Sequence, residues 1–195
     1  QLASEISWEL LGRTKTNFKT HSLLTEAGKA AFKPSAVLYF FTCLFYAIPS
    51  LLLWMLLRSE EAASLLGDEL VPILRLVLIA LLAGGAYFLY RKISSPIVFD
   101  TGSGWFWKGY ASPETVTNLT QLKDAVKLAD IQALQLHHKR IHRPNNTRSY
   151  DCYELNVVLN DRSRVNVVTH GGGDSLQLDA EELADFLDVP LLSRM

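Results

Sequence analysis

Three imidazoles and three permanent cations fall within seven residues in His137-His138-Lys139-Arg140-Ile141-His142-Arg143. Lys139, Arg140 and Arg143 carry the charge that could hold an anionic lipid headgroup or an acidic protein surface. If the stretch is a strand, alternate side chains face opposite ways and not all of them can converge on one ligand. The competing reading is a solvated strand end beside the Pro144-Asn145-Asn146 turn. No paired Cys/His spacing supports a closed metal site, so no metal is expected. Trp105 and Trp107, two residues apart, share one face of a short aromatic strand. Three readings stay open for them: an interfacial belt at a membrane surface, a protein contact, or core packing.

Other candidate chemistry is weaker. Gly171-Gly172-Gly173-Asp174-Ser175 precedes a helix and could offer backbone donors to a phosphate. It lacks the Gly-Lys-Ser/Thr ending of a phosphate-binding loop, and Asp174 would repel an anion, so a connector is the better reading. His170, Asp174 and Ser175 are close in sequence, but nothing assigns them the roles of base, orienter and nucleophile. The expectation is a non-enzymatic protein with no cofactor.

The elements that position these residues are dominated by two apolar runs. Ala36–Leu57 contains no charge, and Val71–Tyr90 contains only Arg75. A helix rises about 1.5 Å per residue, so about 20 apolar residues cross the ~30 Å hydrocarbon layer. Two transmembrane helices, 36–57 and 71–90, are therefore expected within a hairpin at 36–92. The link Arg58–Leu70 has one basic and four acidic residues, whereas Lys29, Lys33, Arg91 and Lys92 flank the outer ends. The basic bias predicts that both termini face the cytoplasm, and the expected location is a bacterial inner membrane. Pro49 could kink the first helix. Gly84-Gly85, between Ala83 and Ala86, offers a surface that a partner helix could approach closely. Arg75 either snorkels to the headgroups or joins an ion pair.

Residues 1–35 read as an N-terminal cytoplasmic segment, with Ser22–Phe32 either an amphipathic surface stretch or an irregular lead-in. Gln1 is not an initiator, so a slightly longer natural chain is expected, and no secretory signal is expected before Lys33. Residues 93–195 have the mixed charge of a small domain. Pro96–Asp100 and Trp105–Gly109 read as paired strands around Thr101–Gly104, and Leu128–Ile141 as a strand whose beginning could be helical. Tyr153–Leu159 and Arg164–His170 alternate in hydropathy around Asn160-Asp161 and form the clearest hairpin. Leu176–Leu187 carries an apolar stripe and ends before Val189-Pro190. The predicted class is a two-helix membrane hairpin followed by a small α+β domain. That domain is mainly antiparallel β, closed by one C-terminal helix, of pleckstrin-homology type. Cys43 and Cys152 fall in separate parts and read as structural thiols. A net charge of −1 over 195 residues gives no electrostatic case for nucleic acid.

This order of parts resembles the photosystem I assembly factors of cyanobacteria and plastids. The resemblance runs through Asn17-Phe18, the tight hairpin, Phe99-Asp100, Trp107-Lys108-Gly109 and Leu128-Ala-Asp-Ile131-Gln132. It ends in the helix Ala180-Glu-Glu-Leu-Ala184-Asp-Phe186-Leu187 before Asp188-Val189-Pro190-Leu191. It implies a membrane-tethered, non-enzymatic helper of a larger membrane complex. The expected function is thus an assembly factor, scaffold or accessory subunit whose partner is a membrane protein complex. Two alternatives stand beside it: a module that binds anionic lipid headgroups, and a membrane-bound immunity protein.

Overall fold

The computed structural model describes residues 2–11, 19–57, 70–118, 122, 124–141, 149–171 and 173–194. The chain divides into two compact units. One comprises 36–94; the other joins 1–35 to 95–195. The first unit holds two helices, α2 (Ala36–Leu57) and α3 (Leu70–Ile93), each long and apolar enough to cross a membrane. Few of their residues are buried, and Phe40, Phe45, Leu76 and Phe88 are all more than half exposed. A soluble core helix would be the reverse. The helix over 36–57 has the expected bounds, and α3 extends the expected 71–90 by one residue at its start and three at its end. Pro49 lies inside α2, which continues through it.

The expectation for Ser22–Phe32, an amphipathic surface stretch or an irregular lead-in, is corrected: these residues form two strands and the turn between them in the β-rich unit. A short helix α1 (Leu2–Glu5) is followed by β1 (His21–Glu26) and β2 (Lys29–Pro34), which form a hairpin around Gly28. Gly28 has φ +79°, a conformation that glycine adopts without steric cost. The hairpin joins β3 (Ile97–Asp100), β4 (Trp105–Lys108) and β5 (Val126–Lys127) in a five-stranded antiparallel meander. Its inward residues include Ala30, Phe32, Ile97, Phe99 and Phe106, all buried. The Phe99 and Phe106 rings lie 4.6 Å apart.

A second sheet contains β6 (Ile131–Ile141), β7 (Tyr150–Leu159), β8 (Arg164–His170) and β9 (Leu191–Arg194), in the order β8-β7-β6-β9. Both readings of the 128–141 stretch hold in part, because a 3₁₀ turn over Leu128–Asp130 leads directly into β6. The last helix, α4 (Gly173–Leu187), starts earlier than the expected Leu176. A Cβ at Gly173 would run into the Tyr153 ring, so the glycine lets the first helical turn press against β7. The helix stops at Asp188 in the left-handed region (φ +53°), with the Val189 N–H donating to the Ala184 carbonyl. This closure turns the chain into β9, which runs parallel to β6. Lys19 and Asp179, 2.8 Å apart, link the approach to β1 with α4. The inner faces of both sheets and the Leu176, Ala180, Leu183 stripe of α4 share one core.

Phe106→Ala should remove about 3–5 kcal/mol of unfolding free energy by emptying a fully buried ring site beside Phe99. Denaturant unfolding of the full chain in detergent measures it; a loss below about 1 kcal/mol would show that the two sheets do not share a close-packed core.

Candidate functional site

Strand alternation separates the basic run. Lys139 pairs with Cys152 and shares the outer face of the second sheet with His137. Arg140 pairs with Asp151 on the opposite face, where its Nε donates to Ser149 at 2.9 Å. His138, also on that face, lies 3.0 Å from Asp151 and stacks on Tyr153 at 4.6 Å. Lys139 and Arg140 therefore do not converge, and Arg143 lies outside the described residues. Trp105 and Trp107 share the outer face of the first sheet. Trp107 is buried, whereas Trp105 is half-buried with the Lys127 ammonium 5.9 Å from its ring.

The two glycines of α3 have different surroundings. A Cβ on Gly84 would meet nothing within 4 Å, so this position faces open space. At Gly85 the Tyr46 ring is 3.9 Å away, and the Tyr46 hydroxyl donates to the Gly85 carbonyl at 3.1 Å. Gly85 thus faces α2 inside the hairpin, where a Cβ would make ordinary contact with the Tyr46 ring and its carbonyl accepts the Tyr46 hydroxyl. Beside this contact a groove of about 530 Å³ is lined by Tyr39, Cys43, Tyr46 and Ser50 of α2 and by Tyr87 and Tyr90 of α3. The α2 residues recur at helical spacing, so the stripe was visible in sequence; nothing there indicated which face α3 would meet.

A second feature escaped sequence reasoning altogether. The outer face of the second sheet carries Gln135 and His137 on β6, Glu154 and Asn156 on β7, and Arg164 and Asn166 on β8. Cross-strand register sets Gln135 opposite Asn156, and His137 opposite Glu154. The Asn156 amide donates to Glu154 Oε1 at 2.8 Å and to Gln135 Oε1 at 3.3 Å. Arg164 donates to Gln135 Oε1 at 3.0 Å, and Asn166 to Asn156 Oδ1 at 3.3 Å. These are side chains suited to water, yet Gln135, Glu154 and Asn156 are 0% exposed. Residues 2–11 cover them. Ile6 packs onto Ala133 and Val158, and the Trp8 ring meets His137 edge-on at 5.8 Å. The Arg194 guanidinium sits 4.8 Å from the Trp8 ring centre, and Arg162 pairs with Glu5.

His137 is buried under Trp8, and neither ring nitrogen has a hydrogen-bond partner among the described residues. Burial lowers its pKa from the ordinary value; Glu154 opposes the shift, while Lys139, Arg164 and His138 add to it. The folded chain therefore holds the neutral ring. At Asp100 on the other sheet, burial alone would raise the carboxyl. Lys29 at 3.0 Å and the amides of Gly102 and Ser103 outweigh burial and hold it below its ordinary range. Among the described residues, no three His, Cys, Asp or Glu side chains are grouped to hold a metal. No protein-family model and no curated protein matches the chain.

Because His137 is neutral in the folded chain and titrates near 6.5 once released, its contribution is present above that pH and lost as pH falls through and below it. The melting temperature should fall between pH 7.5 and 5.5, and His137→Leu should reduce that fall. Equal falls in both proteins would place the acid sensitivity elsewhere, with His21 the next candidate because burial also lowers its pKa.

Proposed function

We propose that the chain is a non-enzymatic, membrane-anchored assembly factor or accessory subunit of a larger membrane protein complex. The observation that carries this reading is that the apolar hairpin is inserted inside a folded sheet. One residue, Ser35, separates β2 from α2, and three, Ser94–Pro96, separate α3 from β3. β2 and β3 pair directly, with Phe32 opposite Ile97. Two spanning helices inserted there place both flanks on one side of the bilayer, and the lysine and arginine bias makes that side cytoplasmic. The β-rich unit is then held at the membrane without a long tether, as suits a protein that meets one fixed neighbour.

The β-rich unit fits a pleckstrin-homology type of architecture, in which two antiparallel sheets share a core with a C-terminal helix. It carries two additions: the hairpin between β2 and β3, and β9 after the helix. The likeness in order of parts to the photosystem I assembly factors belongs to the same reading, with a membrane complex as client. The lipid-headgroup alternative is weaker because Lys139 and Arg140 occupy opposite faces of β6. In the apolar hairpin, the open Gly84 position suits close approach by a partner helix.

Purification from native membranes in mild detergent, with mass spectrometry of accompanying proteins, tests this proposal. A stoichiometric integral-membrane complex is expected. Gly84→Leu should lower its recovery severalfold without loss of chain, because the new side chain enters open space. Recovery of the chain with lipid alone would overturn the reading in favour of a headgroup-binding module.

A further inference from the structure

Residues 5–11 make three regularly spaced polar contacts with the outer face of the second sheet. Gln135 Nε2 donates to the Ser7 carbonyl at 2.9 Å. Arg164 Nη1 donates to the Glu9 carbonyl at 2.9 Å. The Leu11 N–H donates to Glu154 Oε1 at 2.9 Å. Every second residue of the strap is held, and each time through its main chain. Two strap side chains engage the sheet, Ile6 with Ala133 and Val158 and Trp8 with His137 and Arg194, while Glu5 pairs with Arg162 in the turn between β7 and β8. The contacts fall on all four strands, so the strap crosses the face instead of extending an edge.

The chemistry of the covered face is unusual for a permanent interior. Burying Gln, Asn and Glu side chains costs free energy that hydrogen bonds only offset, and apolar residues of similar volume fill such an interface at no such cost. A face that is intermittently open to water needs polar side chains when open and partners for them when closed. Main-chain carbonyl and N–H groups of a covering segment supply those partners, as Ser7, Glu9 and Leu11 do, and two apolar anchors two residues apart supply selectivity.

We propose that this face is a docking site for a protein segment recognised through its main chain, and that residues 5–11 are its resident, exchangeable occupant. The partner segment it fits carries an acidic residue, an aliphatic residue and, two positions after the aliphatic one, an aromatic residue, as in Glu5-Ile6-Ser7-Trp8. The partner displaces the strap and takes over the contacts to Gln135, Arg164 and Glu154. This assignment concerns the β-rich unit alone and stands or falls separately from the reading of the apolar hairpin.

The test uses the full chain in detergent with the double substitution Ile6→Ala and Trp8→Ala, which weakens the strap and leaves the face intact. A fluorescent peptide with the sequence of residues 1–12 should bind this variant at least tenfold more tightly than the unaltered chain. The same peptide carrying both alanines should lose that binding. Absence of peptide binding to the folded variant, or equal binding to variant and unaltered chain, overturns the proposal. Should the variant fail to fold, amide hydrogen exchange on the unaltered chain decides. The Leu11 amide is expected to exchange at least a hundredfold faster than the amides of Leu155–Val158 in β7. Equal protection would make the strap a permanent part of the fold and overturn the proposal.

Discussion

The pairing of β2 with β3 is the constraint on which the rest of the molecule depends. Lys29 to Phe32 and Ile97 to Asp100 are register partners although two long apolar helices intervene. A strand pair demands that its two chain ends lie about 5 Å apart. A hairpin of two antiparallel helices can meet that demand because it leaves and returns at neighbouring points. The β2–β3 turn of an ordinary meander has here been replaced by α2 and α3, and the sheet continues as if the insertion were a loop. The Lys29–Asp100 ion pair at the far end of these strands and the buried Phe32 and Ile97 at the near end both reinforce the junction.

The two faces of the second sheet follow from one alternation. Leu134, Leu136, Leu155 and Val157 point into the shared core, while Gln135, His137, Glu154 and Asn156 point away. A one-residue slip would exchange the two sets, so burial of the leucines fixes where the polar residues stand. The polar set then selects what can lie over it. Apolar side chains alone would leave the Gln135 amide nitrogen without the acceptor it now has, whereas a segment that turns its carbonyls and N–H groups to the face satisfies it. Residues 7–11 do this with their backbone, and Ile6 and Trp8 fill the adjoining apolar and aromatic positions. The same alternation accounts for the dispersal of the basic run, since adjacent Lys139 and Arg140 must face opposite ways.

Much of the architecture was legible because its signals are local. Unbroken apolar length identified both helices, and strict alternation identified β7 and β8. The hairpin β1–β2 was less legible. Its polar, basic-leaning sequence resembles a lead-in, and only Gly28 between Leu23-Leu24 and Ala30-Phe32 marked a turn between two short strands. β9 could not be read at all. Four residues after a helix become a strand only because β6 offers a free edge beside them.

The sequence by itself determined the apolar hairpin, the alternating strands and the C-terminal helix, because each depends on the period of hydrophobicity over a few neighbouring residues. It also placed Trp105 and Trp107 on a strand and Gly84 and Gly85 on the second apolar helix, and read Lys139 and Arg140 as part of a stretch whose strand character stayed conditional. Only the tertiary structure decided that His21–Glu26 and Lys29–Pro34 belong to the same sheet as Ile97–Asp100 and Trp105–Lys108, that the Gly85 carbonyl serves Tyr46 while Gly84 stays open, and that Ser7, Glu9 and Leu11 lie over Gln135, Arg164 and Glu154. Those contacts join positions up to 155 residues apart, the separation of Glu9 and Arg164. No local pattern records which distant main chain will satisfy a polar side chain; register and packing settle it once the core has closed.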